Sequence, residues 1–251
     1  MNSMGEIQSL ARGLTILEKL AQEESSLSIT ELAVMLGVNK STASRLAKTL
    51  LQHGFVEKAA DERSYCLGPM LVSLSRKVIT RLPLREAAKP YLQMLVAESG
   101  ECAHLAVHLR GKALYIDQAE SPSSLRVNVE VGQLAPLHCT ALGKVLLAFS
   151  DLPLPIPLEP YTPRTIIDPV VLAAELGRVR QQGFAVDDQE FDSNVRCIAA
   201  PVFDYRSKLV GAMGISGPAA RLSKERISDL APRVVDIARQ LSDRLKFKHS
   251  T

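Results

Sequence analysis

The chain has 251 residues, enough for one large or two small domains, with 46% apolar residues, a formal charge of +3 and a pI near 8.7. The mild positive charge permits nucleic-acid binding without demonstrating it, and the lack of Trp and the low aromatic content argue against single-strand binding by base stacking. No apolar run approaches the ~20 residues of a membrane span. No basic-then-apolar leader opens the chain, and Cys66, Cys102, Cys139 and Cys197 stand far apart as reduced thiols would, so the expected compartment is the cytoplasm.

Residues 7–21 repeat Leu10, Leu14, Leu17, Leu20 and Ala21 at helical spacing and predict an amphipathic helix packed behind the segments that follow. Residues 28–36 open with Ser28 and carry Glu31 three positions later, a capping box in which each side chain takes a free backbone N–H. Leu32, Ala33 and Leu36 continue that helix, and Gly37 suits the positive φ of its end. Asn39 is a good N-cap for a second helix over residues 40–53. There Ala43, Leu46, Ala47, Leu50 and Leu51 form a buried stripe, and Lys40, Ser41, Thr42, Ser44, Arg45 and Lys48 occupy the remaining surface. No acid lies between Glu31 and Glu57. Two short helices joined through a glycine, the second basic and hydroxyl-bearing at its start, read as a helix-turn-helix. Lysine and arginine would grip phosphates, and the short polar groups would reach base edges in the major groove. An ordinary amphipathic bundle helix is the bland alternative.

Residues 55–58 and 64–67 predict two short strands around a polar turn, a wing with Arg63 at its tip, where it could meet a phosphate or only water. After Gly68-Pro69, residues 70–80 predict a linker helix with Leu71, Leu74 and Val78 on one face and Ser75, Arg76 and Lys77 on the other. Leu82-Pro83-Leu84 restarts the chain, and residues 85–99 look helical. Strands follow over 102–109, 113–120 and 125–131, then a helix over 139–149 and an irregular stretch marked by Pro153, Pro155, Pro157, Pro160 and Pro163. Residues 170–182 predict a helix, 184–186, 196–204 and 208–216 predict strands, and 223–246 predict a closing helix with Ile227, Leu230, Val234, Ile237 and Leu241 buried and Pro232 in its early turns. Helices mixed with antiparallel hairpins make this second half α+β.

Two stretches of that half carry chemistry. Leu137-His138-Cys139-Thr140-Ala141-Leu142-Gly143-Lys144 enters a helix, whose free N–H groups at Thr140 to Leu142 could hold a ligand carboxylate; plain N-capping by Thr140 explains the residues equally well. Residues 183–204 gather Asp187, Asp188, Glu190 and Asp192 ahead of Cys197, although an acidic loop alone is usually just solvated. Cys102, His104 and His108 share one strand face and sketch a metal site, but no close HxxxH or CxxC pair anchors it. Cys139 beside His138, or Cys197 near Asp187, sketches a nucleophile with helpers.

Along nearly its full length the chain resembles the IclR family of bacterial transcription regulators. The C-terminal signature is carried by Gly183, Asp187, Glu190, Cys197 and Val202-Phe203-Asp204, and Asn39-Lys40-Ser41-Thr42-Ala43-Ser44-Arg45-Leu46-Ala47-Lys48-Thr49-Leu50 matches the less specific N-terminal half. The resemblance implies a winged helix-turn-helix DNA-binding domain (residues 1–68), a dimerising linker helix (69–83) and a GAF-like α+β effector-binding domain (84–251). By position it implies that a small organic acid is held by Thr140, Ala141, Leu142, Asp187, Cys197 and Ser216, with Glu190 part of the signature. Thr140 replaces a frequent serine and keeps the hydroxyl, whereas Gly214 stands where relatives place one, so one ligand hydrogen bond is expected to be missing. The expected protein is a DNA-binding regulator with no enzymatic activity, metal or cofactor and with repression as its output. It would bind double-stranded operator DNA as a homodimer or dimer of dimers and respond to an organic-acid effector. The alternatives are the same DNA-binding half with a metal or redox sensor, and a cysteine-dependent enzyme.

Overall fold

The computed structural model describes residues 6–23, 25–79, 83–127 and 129–247. The chain divides into two compact units, residues 1–81 and 82–251.

In the first unit, helix α1 (Gln8–Leu20) is followed by a two-residue strand β1 (Leu27–Ser28) and by helices α2 (Ile29–Leu36) and α3 (Lys40–Gln52). The caps stand where the sequence puts them. Ser28 N donates to Glu31 Oε2 at 2.8 Å, Glu31 N donates back to Ser28 Oγ at 3.3 Å, and Thr42 N donates to Asn39 Oδ1 at 2.8 Å. Gly37 closes α2 at φ 61°, in the left-handed region that glycine enters without steric cost. Strands β2 (Val56–Lys58) and β3 (Ser64–Leu67) form the wing, and helix α4 (Met70–Ile79) follows. Thr80 and Leu82, read as the end of that helix and the restart, lie outside the described residues.

Two features of this unit differ from expectation. Strand β1 pairs with β3, so the wing is a three-stranded sheet in the order β1-β3-β2. The buried side of α1 is Gly13, Ile16 and Leu20, while Leu10 and Leu14 are 60% and 49% exposed. The helix thus carries two apolar stripes, and the one built on Ile16 meets the core of Leu32, Ala33, Ala43, Ala47, Val56 and Tyr65.

The second unit is a six-stranded antiparallel sheet, order β6-β5-β4-β9-β8-β7, with helices on both faces. Its elements are α5 (Pro83–Ser99), β4 (Cys102–Leu109), β5 (Lys112–Ala119), β6 (Leu134–Pro136), α6 (Ala141–Ala148), α7 (Pro169–Gln182), β7 (Ala185–Asp188), β8 (Val195–Phe203), β9 (Leu209–Pro218) and α8 (Lys224–Phe247). Helices α5 and α8 cover one face, where Ala103, Leu105, Ile198, Ala200, Met213 and Ile215 meet Leu92, Leu95, Val234, Ile237 and Leu241. The alternate residues of the same strands turn to α6 and α7: Ala106, Ala199 and Ala212 pack with Ala141, Leu142, Val145 and Leu176. Pro232 falls in the early turns of α8, at its ninth residue.

The strand expected over residues 125–131 does not form; the described part of that segment is loop, Asn128 lies outside the described residues, and β6 stands further on at Leu134–Pro136. Val127 and Val129 instead turn into a cavity, so their period-two spacing reflects a half-buried loop. The helix expected from Cys139 starts at Ala141, because Thr140 caps it.

Candidate functional site

The first unit presents α3 to solvent. Lys40, Ser41, Arg45 and Lys48 are exposed, and Thr42 and Ser44 are half-buried. Burial of Ala43 and Ala47 against the unit's core fixes which side of the helix faces outward. Arg63 is exposed in the wing turn, which Asp61 holds by accepting from the N–H groups of Arg63 and Ser64, each at 2.9 Å. All seven residues proposed from the sequence to meet DNA thus lie on α3 or in the wing turn of one small domain.

The second unit encloses a cavity of about 160 Å³ between the sheet and the start of α6, and Thr140, Ala141, Leu142, Asp187, Cys197 and Ser216 all line it. Thr140 Oγ1 accepts from Gly143 N at 3.1 Å and donates to Pro136 O at 2.7 Å, so its hydroxyl is already committed to the fold. The N–H groups of Ala141 and Leu142, in the first helical turn, have no acceptor within the helix and favour an anion.

The strand register places Asp187, Cys197 and Ser216 side by side across β7, β8 and β9, with Cys102 next on β4. Burial raises the Asp187 carboxyl to about 7, against the hydrogen bond it accepts from Glu190 N at 2.7 Å. It is therefore part protonated near neutrality and can donate to a ligand carboxylate as well as accept. Burial, reinforced by the Asp187 charge, pushes the Cys197 thiol well above its ordinary range. The next row reads Ala185, Ala199, Gly214 and His104. Small side chains here leave room above the sheet. A Cβ at Gly214 would stand 2.0 Å from Ile198 O and 2.7 Å from Ala199 Cα, so any side chain there would force the strands apart.

Glu190 departs from expectation: it does not line the cavity. Its carboxylate accepts from Lys144 Nζ at 2.6 Å, and Lys144, 1% exposed on α6, also reaches Glu175 at 3.3 Å. The Glu190 N–H meanwhile donates to Asp187 Oδ1 at 2.7 Å. The sequence reading missed this lysine, although one cation in the otherwise apolar α6 was a signal for it. It also missed Tyr115 and Gln133 in the cavity wall, which come from segments no motif marks, and Phe191, which lies within the 183–204 stretch but carries no polar group to single it out.

Of the other sketched sites, the Cys139–His138 pair and the Cys102–His104–His108 group do not assemble, whereas Cys197 and Asp187 do meet across β7 and β8. His138 Nε2 lies 2.9 Å from Glu159 O, and burial raises the neighbouring Cys139 thiol to about 12, so that pair is no activated nucleophile. His108 Nε2 accepts from Gly111 N at 2.9 Å in the β4–β5 turn, away from His104. Among the described residues, no group of three or more His, Cys, Asp or Glu side chains could hold a metal ion.

An exposed basic second helix with a wing, joined to an α+β domain that encloses an anion-suited cavity, defines a DNA-binding regulator of the winged helix-turn-helix class. Comparison with known proteins agrees in both halves. Residues 9–60 match the IclR helix-turn-helix domain and residues 76–243 match the bacterial transcriptional regulator IclR C-terminal domain. The chain belongs to the IclR family of bacterial transcriptional regulators. It is 31% identical over 246 residues to the transcriptional repressor IclR of Escherichia coli K12, covering 95% of this chain and 90% of that one. It is 36% identical over 244 residues to the glycerol operon regulatory protein of Streptomyces coelicolor, covering 94% and 95%. A crystal structure of a putative IclR regulator from Silicibacter sp. TM1040 superposes with a TM-score of 0.80 at 26% identity, over 95% of this chain and 96% of that chain. No helix among the described residues is long and apolar enough to cross a membrane.

Proposed function

We propose that this regulator represses transcription from operators whose occupancy is set by a small organic acid in the second unit's cavity. The observation that carries the reading is the meeting of a free helix start, at Ala141 and Leu142, with a buried carboxyl at Asp187 in one enclosed cavity. The effector carboxylate accepts from the two amides, the protonated Asp187 donates to it, and Ser216 and Cys197 fill the remaining polar positions. Glu190 is a positioning residue rather than a contact. Residues 1–68 read DNA, 69–83 link and dimerise, and 84–251 sense. In the cytoplasm, where the operator lies, Lys40, Arg45, Lys48 and Arg63 neutralise phosphates, and Ser41, Thr42 and Ser44 approach base edges. Homodimerisation, and pairing of dimers, would cover the exposed apolar rows Leu10–Leu14 on α1 and Val72–Leu74–Val78 on α4. Effector binding then favours one dimer arrangement and alters the spacing of the two recognition helices.

The test is a mobility-shift titration of the DNA upstream of the gene and its neighbours, with and without short carboxylates. Arg45→Ala should weaken operator binding, by about 1–3 kcal/mol if it contacts a base and uniformly across sequences with a smaller salt slope if it contacts a phosphate. A parent protein that bound none of these fragments would refute the DNA assignment, and binding that no carboxylate changed would refute the effector assignment.

A further inference from the structure

The cavity wall contains a polar side chain for which the fold has no use. Tyr115 on β5 is 8% exposed and lines the cavity. Among the described residues its hydroxyl makes no hydrogen bond, yet it is not sealed in protein as the ring nitrogens of His104 beside it are. A buried tyrosine nearly always pairs its hydroxyl, so an open one in a cavity wall calls for a partner that enters from outside.

The backbone fixes where this side chain stands. The Tyr115 N–H donates to Gln133 O at 3.0 Å, and its carbonyl accepts from Gly132 N at 2.8 Å. The register of β4 and β5 slips beside it: Leu105 faces Asp117 and Ala106 faces Tyr115, which leaves Ile116 as an extra residue. Such bulges re-aim side chains and recur next to binding sites. Ile116 joins the core beneath α5 and α8, while Tyr115 joins the residues packed with α6. Its ring meets His104 edge-on at a centroid distance of 5.6 Å, and Ala106, across on β4, is too small to cover the phenol.

Burial raises the phenol above its ordinary value, so the proton stays on and the hydroxyl can donate; Cys197 and Asp187, both in the cavity wall, reinforce the shift. Tyr115 enters the cavity from β5, whereas Asp187, Cys197 and Ser216 enter it from β7, β8 and β9, with β4 between. The phenol therefore stands apart from the place of the carboxylate and meets another atom of the ligand.

We infer that Tyr115 is a specificity-determining residue: its hydroxyl donates a hydrogen bond to a second polar group of the effector, a hydroxyl or carbonyl oxygen carried on the chain of the acid. The inference rests on the organic-acid reading of the cavity and narrows it to acids with a second oxygen function. A phenylalanine would fill the wall equally well and would not distinguish a hydroxy acid from its plain analogue.

The experiment titrates full-length protein calorimetrically with two pairs, lactate against propionate and 3-hydroxybutyrate against butyrate. The parent should bind the hydroxy member of at least one pair about three- to tenfold more tightly, what one neutral hydrogen bond contributes. Tyr115→Phe, which keeps the ring and removes only the hydroxyl, should abolish that preference. Its unfolding midpoint in urea should match that of the parent, because the hydroxyl has no partner in the protein to lose. A parent without a preference in either pair, a preference that survives the substitution, or an equal loss of affinity for both members overturns the role of Tyr115 alone. A lowered midpoint overturns it too, since the hydroxyl would then serve the fold. A parent that binds none of the four acids overturns the carboxylate reading and this inference with it.

Discussion

Replacing Lys144 by Met tests whether the buried ion pair or the shape of α6 holds the sensing unit together. Lys144 and Glu190 side chains are 1% and 8% exposed, with Nζ 2.6 Å from Oε1. Methionine has nearly the stem of lysine, so the substitution leaves little void and the loss is electrostatic. Glu175, the second acceptor, keeps Arg178 at 2.7 Å. Glu190 keeps no cation, and its Oε2 is already without a partner. The whole penalty therefore falls on one buried carboxylate, for which breaking a buried pair costs about 3–5 kcal/mol. For a unit of this size about 1 kcal/mol moves Tm by roughly 2–4 °C, so a fall of about 10 °C is expected. The pH dependence identifies the cause. Burial already holds the Glu190 carboxyl above its ordinary 4.5, and removing the lysine raises it further. Between 4.5 and that raised value the unfolded chain is ionised and the folded chain is not, so stability falls as pH rises. The deficit should be smaller near pH 5 than near pH 8, by urea or thermal unfolding monitored by circular dichroism. The double variant Lys144→Met/Glu190→Met should recover most of it, since it leaves no charge behind. A loss below about 1 kcal/mol that is the same at both pH values would refute the reasoning.

Two more outcomes follow from the cavity floor. Asp187, raised from 3.8 to about 7 by burial, makes the parent lose stability as pH rises through that window, because the unfolded chain ionises first. Asp187→Asn should flatten this slope in urea midpoints taken from pH 4 to 7, and an unchanged slope would place the titration elsewhere. Gly214→Ala would bring Cβ to 2.0 Å from Ile198 O, so β8 and β9 must separate. The expected loss is about 1–3 kcal/mol, and an unaltered unfolding midpoint would mean that the strands yield freely.

The reader half was legible in the sequence because its determinants are local. Ser28 with Glu31, Asn39 ahead of Lys40, and Ala43 with Ala47 act within one or two helical turns, and each stands in the structure as its spacing predicts. The same holds for Thr140 as the cap of α6 and for the buried row from Ile227 to Leu241. Helix spacing alone could not choose between two apolar stripes on α1, nor tell a strand over residues 125–131 from a loop that turns Val127 and Val129 into a cavity. Tertiary structure also decided what the signature residues do. Asp187, Cys197 and Ser216 become one row only through the register of three strands, and Glu190 leaves that row because Lys144, 46 positions away, captures it. Caps and helix faces depend on neighbours a few residues off, which a sequence displays. Cavities and buried ion pairs depend on which distant segments meet and in what register, and only the packed chain determines that.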